Sequence, residues 1–186
     1  MKKRIVFLSL AVLVATGAAR AEIIRGLGAG FGGIAALGEM GRHLRPGLSG
    51  CLIVMGPRLG VPLELTLGLS RHQKRETENT QLTLLPVFLS TRIDFKSSAS
   101  GGTARPFLRF GLGGVFGWAK SFRHWREENF DPGFLLGFGW RAGLGPKMSL
   151  GLEAGYLFAL QTLQPGAEHN GHFLMLGLGV DWLFTP

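Results

Sequence analysis

A single cysteine among 186 residues cannot form an internal disulfide, and no group of Cys and His has zinc-ligand spacing, so neither staple holds this chain. Long apolar runs are also missing. The stretch from Ile5 to Ala15 covers eleven residues, whereas a spanning helix needs about 20. After residue 21 no window keeps an apolar stripe at helical period, which argues against a helical bundle. Charged residues make up only 17%. What the chain has instead is glycine, 30 residues of it. It carries no collagen period and sits among Leu, Phe and Val, which excludes collagen and most disordered classes.

The first 21 residues, MKKRIVFLSLAVLVATGAARA, combine a basic start, a short apolar core and an A-x-A site at Ala19, Arg20 and Ala21. That is the plan of a Sec signal peptide cleaved after Ala21. Two units follow: 1–21 as the signal peptide and 22–186 as the mature domain. Cleavage leaves 165 residues with 16 basic and 12 acidic side chains, so the formal +8 falls to +4 and nucleic acid is not an expected partner. Leu48, Ser49, Gly50 and Cys51 spell a lipobox-like tetrapeptide, but some thirty residues past the signal. Cys51 reads as a buried thiol in a strand.

Period-two alternation runs through the mature chain. Leu63, Leu65, Leu67 and Leu69 oppose Glu64, Thr66, Gly68, Ser70 and His72. Phe134, Leu136, Phe138 and Trp140 oppose Gly137, Gly139, Arg141 and Gly143; Leu150, Leu152, Ala154, Tyr156 and Phe158 oppose Gly151, Glu153 and Gly155. Leu174, Leu176, Leu178, Val180, Trp182 and Phe184 oppose Gly177, Gly179 and Asp181. A soluble sandwich would carry Lys, Thr and Glu on its second face. Here that face is mainly glycine with isolated charges, which suits a narrow barrel whose outside meets lipid. A closed barrel also satisfies every backbone donor and acceptor within a bilayer.

Eight strands are predicted, at 23–36, 49–59, 62–72, 80–94, 105–119, 133–144, 148–161 and 171–184. The connections at 59–62 and 145–147 are short, whereas 37–48, 73–79, 120–132 and 162–170 are long and polar, the alternation of an outer-membrane barrel with periplasmic turns and extracellular loops. The 95–104 connection is longer than a periplasmic turn should be. Pro57 and Pro86 each remove a ladder donor, and both faces are apolar there, so the register of 49–59 and 80–94 stays open. Trp140, Trp182 and Phe184 fall near periplasmic strand ends and Trp118, Phe134 and Phe158 near outer ends, as two aromatic girdles require.

Six charges are expected to face inward in one slab: Arg58, Glu64, Arg109, Arg141, Glu153 and Asp181. With a turn centred on Val61, Arg58 and Glu64 would face each other across a hairpin. Buried charges are costly unless paired, so a closed salt-bridge network is the primary reading and a gated pore the secondary one. Above the slab, Leu135, Val115, Leu157, Phe173 and Met175 argue for a plug.

Several motifs invite other readings. Gly28, Gly30 and Gly33 have dinucleotide-fingerprint spacing with Ile34–Leu37 behind them, but no βαβ unit or acidic residue follows. No cofactor and no metal is therefore expected; His169 and His172 in the last outer loop read as solvated. Lipid A deacylases of the PagL type use Ser, His and an acid, for which Ser70, His72 and Glu64 are the nearest candidates. They point into the barrel, and the His-x-Ser order is absent. The loops mix Arg42, Arg45, Arg71, Lys74 and Arg75 with acids, and Trp125 between Arg123 and Arg126 points to a recognition surface.

The chain resembles the small eight-stranded outer-membrane barrels of the OmpX and OmpA transmembrane-domain type. The likeness is strongest in RPFLRFGLGGVFGWAK (105–120), MSLGLEAGYLF (148–158) and LMLGLGVDWLF (174–184). It implies an all-β, eight-stranded antiparallel transmembrane barrel in the outer membrane of a Gram-negative envelope. It further implies a monomer, contact with outer-membrane lipids and lipopolysaccharide, and assembly through the barrel assembly machinery, with Val180, Trp182 and Phe184 as the C-terminal signal. The expected role is structural or surface-interacting through the loops, without enzymatic activity. A small ion or hydrophobic-solute channel of the OmpW type is the alternative, and a lipid A-modifying enzyme the second.

Overall fold

Alternation of bulky and small residues puts the two sets on opposite faces of every strand, and closing eight such strands into a ring makes the bulky set the outside. A computed structural model describes residues 24–59, 61–75, 81–95, 104–120, 125–160 and 171–184. Its strands are β1 (Gly26–Ala36), β2 (Gly47–Leu59), β3 (Val61–Gln73), β4 (Gln81–Asp94), β5 (Ala104–Lys120), β6 (Trp125–Gly143), β7 (Met148–Ala159) and β8 (Gly171–Leu183). Each pairs antiparallel with its sequence neighbours, and β8 returns to β1 through eleven aligned pairs from Gly26↔Leu183 to Ala36↔Phe173. A short helix, α1 (Gly38–His43), lies between β1 and β2. The expected signal peptide lies outside the described residues.

The burial pattern is inside out for a protein in water. Leu52, Leu112 and Leu176 are about 60% exposed, while the buried set contains Glu64, Arg92, Arg109 and Asp181. Each strand obeys this parity: in β8 Leu174, Leu176 and Leu178 are exposed and Phe173 and Asp181 are buried. Only a surface facing hydrocarbon stabilises that arrangement.

One end of the barrel carries two tight turns, together with the longer β4–β5 connection. β2 meets β3 with Leu59 opposite Val61, and Gly145, at φ 150°, takes the β6–β7 turn through a conformation closed to other residues. At the other end lie the long connections. The 120–132 segment departs from the loop expectation: β5 runs to Lys120, and β6 begins at Trp125, opposite it. Backbone pairing continues beyond the apolar belt because a ladder needs no apolar side chains. Likewise 37–48 holds α1 and the start of β2. Ile34–Ala36 continue β1 as strand, so the glycine fingerprint lies in a barrel wall and not at a strand-to-helix turn. Pro86 sits within β4, opposite Val115 of β5. On its other side the β3–β4 ladder lacks aligned pairs between Leu67↔Val87 and Ser70↔Leu84, where the proline has no N–H to give. Its ring fills the space left by Gly68, where a Cβ would come within 2.6 Å of Pro86 Cγ.

Inward glycines are of two kinds. A Cβ on Gly139 would collide with the Leu152 carbonyl and lie 2.8 Å from the Phe107 ring, whereas one on Gly179 would meet nothing closer than 3.5 Å. Gly139→Ala should therefore cost about 1–3 kcal/mol through overpacking, and Gly179→Ala close to nothing. Urea unfolding of the refolded barrels in detergent checks the contrast; equal midpoints would contradict this packing.

Candidate functional site

Inward parity on β3 to β8 brings the charged side chains together nearer the turn end of the lumen. Arg92 of β4 stands between two acids, with Nη2 2.9 Å from Glu64 Oε1 and Nη1 2.8 Å from Asp181 Oδ2. Arg109 of β5 bridges Glu64 and Glu153, its Nη1 2.6 Å from Glu153 Oε2 and its Nε 3.3 Å from Glu64 Oε2. The 3.3 Å approach is an ion pair without hydrogen-bond alignment, since neither of its atoms has a hydrogen-bond partner. Arg141 of β6 donates to Asp181 at 3.0 Å and to Asp94 at 2.8 Å. The result is one alternating chain, Glu153, Arg109, Glu64, Arg92, Asp181, Arg141, Asp94, joined by six ion pairs across six strands. Two of the guanidiniums lie over the Phe107 ring, Arg92 Cζ at 5.7 Å and Arg109 Cζ at 5.8 Å from its centroid.

Five of the six expected residues, Glu64, Arg109, Arg141, Glu153 and Asp181, meet here. Arg58 is not placed as expected. The β2–β3 ladder shifts register between Met55 and Arg58, so Glu64 faces Met55 and Arg58 faces Pro62. Its side chain lies outside the described residues. Three members were not foreseen: Arg92, Asp94 and Phe107. Alternation of Ser90, Arg92 and Asp94 with Leu89, Thr91 and Ile93 was the available signal, and the burial of Ser90 and Arg92 against exposed Leu89 and Ile93 fits it. Phe107 shares the parity of Arg109.

Toward the loop end the lumen fills with an apolar cluster of Ile34, Leu84, Phe88, Val115, Leu135 and Phe173, with Leu157 and Ala159 beside them. Ser70 and His72 lie on the lumen face at 2% and 1% exposure. His72 Nδ1 is 3.3 Å from the Arg45 carbonyl and its ring 5.7 Å from that of Phe173, while Ser70 Oγ and His72 Nε2 have no hydrogen-bond partner. Glu64 is engaged by two arginines, so these three residues do not form a hydrogen-bonded triad. Among the described residues no group of His, Cys, Asp and Glu is arranged to hold a metal. His172 is bonded to the Tyr156 hydroxyl; His169 lies outside the described residues.

On the outer wall Trp140, Trp182 and Phe184 are exposed near the turn end, with the Phe138 ring edge-on to Trp140 at 4.6 Å. Toward the loop end Phe134 stacks on Phe158 at 5.0 Å, and Phe158 contacts His172 at 5.1 Å. Trp118 sits opposite Thr83 at the loop end of β5.

Comparison with known proteins matches this geometry to a class. Neither a protein-family model nor a curated protein matches the sequence. Among solved structures, Neisserial surface protein A (NspA) superposes with a TM-score of 0.67 at 15% identity, covering 86% of this chain and 96% of that one. The outer membrane protein OprG from Pseudomonas aeruginosa gives 0.50 at 9% identity, covering 87% and 98%. At such identities the likeness is one of fold. The fold is that of the small eight-stranded outer-membrane β-barrels.

Connectivity in the ionic chain sets the cost of breaking it. Arg92→Ala leaves buried Glu64 and Asp181 each short of a partner and should destabilise by about 3–5 kcal/mol. Arg141→Ala, on a side chain 18% exposed beside an Asp94 that is 32% exposed, should cost clearly less. The double change Glu64→Gln with Arg92→Met should recover part of the Arg92→Ala loss. Urea midpoints of the refolded variants test the order; a loss for Arg141→Ala as large as for Arg92→Ala would refute the connectivity argument.

Proposed function

We propose that the mature chain, residues 22–186, is a monomeric outer-membrane barrel with a closed lumen, acting structurally or as a surface-interaction protein through its loop end. The observation that carries this reading is the ionic chain across the lumen with the apolar cluster above it. Paired charges on one level and Phe88 and Phe173, each at most 1% exposed, on another leave water and ions no ready path. The turn end faces the periplasm and the loop end the outside. Arg42, Arg45, Arg71, Lys74 and Arg75 are exposed at the loop end, where they can meet the phosphates of lipopolysaccharide. Trp140, Trp182 and Phe184 suit the inner interface, and Trp118, Phe134 and Phe158 the outer one. Outward Val180, Trp182 and Phe184 are available to the barrel assembly machinery before the barrel closes.

Planar-bilayer recording of refolded protein, restricted to the heat-modifiable folded band, tests the closed lumen. Silence is expected; reproducible discrete steps would support the channel alternative. Lipid A from cells with and without the protein should give the same mass spectrum, since no enzymatic activity is proposed. A new acylation state would reverse that. N-terminal sequencing of the membrane form should start at Glu22 if the signal is cleaved after Ala21.

A further inference from the structure

Between the ionic chain and the apolar cluster the lumen keeps an unfilled space. A cavity of about 120 Å³ is lined by Ile34, Phe88, Leu135, Leu157 and Met175 among others, with the ionic chain as its floor. Two glycines on its wall keep it open without being required by close contact, unlike Gly30, Gly32 and Gly68, where a Cβ would lie within 2.9 Å of a neighbouring atom. A Cβ on Gly151 or Gly179 would meet nothing nearer than 3.6 or 3.5 Å. At Gly28 and Gly137, by contrast, it would strike Asp181 and Glu153 respectively.

The guanidiniums of Arg92, Arg109 and Arg141 and the Asp181 carboxylate line this space, each with two ion partners, and two further polar features stand out beside them. Glu153 ends the ionic chain, with Arg109 its one ion partner among the described residues, and its side chain keeps 23% exposure where it lines the cavity. The opposite terminus, Asp94, does not line it. Ser70 lines the cavity too, at 2% exposure, with a hydroxyl that has no hydrogen-bond partner. A chamber with apolar walls, whose one singly paired charged group is a carboxylate and which carries an unpartnered hydroxyl, is complementary to a small molecule with an apolar body and a cationic hydrogen-bond donor. A buried cation needs a paired anion, and Glu153 is the acid at the unshared end of the chain. An apolar cavity of about 150 Å³ holds one benzene, so the space admits a body of similar or smaller size.

We propose that the lumen cavity binds a small organic ammonium ion, a primary amine on a compact hydrocarbon body, with its ammonium group at Glu153. This goes beyond the closed-barrel reading and does not rest on it, because a conducting lumen could hold the same ligand.

Cys51 lines the same cavity and is the only thiol in the chain, so its modification reports occupancy. The refolded mature protein is treated with methyl methanethiosulfonate while cyclopentylamine or its neutral counterpart cyclopentanol is titrated in, and modification is followed by mass spectrometry. Cyclopentylamine should slow the reaction at least fivefold with saturation, at concentrations where cyclopentanol leaves the rate unchanged. Glu153→Gln, checked for folding by heat modifiability, should move the amine midpoint at least tenfold upward. Equal protection by amine and alcohol, protection indifferent to Glu153→Gln, or no protection by either would overturn the proposal. If Glu153→Gln does not fold or Cys51 resists the reagent, saturation-transfer NMR of cyclopentylamine decides. The signal should be present with the wild type and absent with Gly179→Val, which fills the cavity and leaves the ion pairs in place; no wild-type signal, or an undiminished one in the variant, overturns it.

Discussion

The ion pairs that cross the lumen depend on positions where side chains are missing. Arg109 reaches Glu64 on β3 and Glu153 on β7 over β6, and it does so past Gly137. A Cβ there would strike Glu153 Oε1 and come within 3.2 Å of Arg109 Cβ. Asp181 approaches Arg92 and Arg141 beside Gly28, where a Cβ would meet its Oδ1 at 2.5 Å. In a barrel of eight strands the interior is just wide enough to be filled by side chains. The Arg109–Glu153 pair therefore needs Gly137, and Asp181 needs Gly28, so this part of the glycine abundance and the charge network are two sides of one constraint.

That constraint also grades the network. Its central members, Glu64, Arg92 and Arg109, have side chains between 2% and 7% exposed, while the ends, Glu153 and Asp94, reach 23% and 32%. Buried charges gain little net stability from pairing but lose heavily when a partner is removed. The middle of the chain is thus committed to structure. The ends are more exposed and singly paired, one at the barrel mouth and the other against the cavity.

Strand number and face parity were legible in the sequence because each depends on period two alone, whereas the alternation of short and long connections fails at 95–103 and 121–124. Register was not legible. At Gly56 and Pro57 the β2–β3 ladder shifts, and a count from Val61 that assumed regular pairing put Arg58 opposite Glu64. In β4 the inward Leu84, Pro86 and Phe88 are as apolar as the outward Leu85, Val87 and Leu89, so parity could not be read there, and Arg92 and Asp94 went unassigned although they supply two links of the chain. The polar 125–132 segment looked like a loop because apolar alternation marks the part of a strand in lipid. Hydrogen bonding between β5 and β6 is not limited to that part.

At the loop end the first long connection is held in place. The Leu37 amide donates to the His172 carbonyl of β8, the Arg45 amide to Gln73 of β3 and the Arg75 amide to His43. Arg75 also uses its Nε–H on the Leu44 carbonyl at 3.2 Å, and Leu44 itself is only 5% exposed. These bonds tie the α1 segment to both β8 and β3, on either side of the β1–β2 hairpin it belongs to. Arg42, Arg45, Lys74 and Arg75 are thereby displayed from anchored backbone. An anchored cationic rim loses less conformational entropy on meeting an anionic surface than a free loop would, which is the physical ground for the interaction role proposed for this end of the barrel.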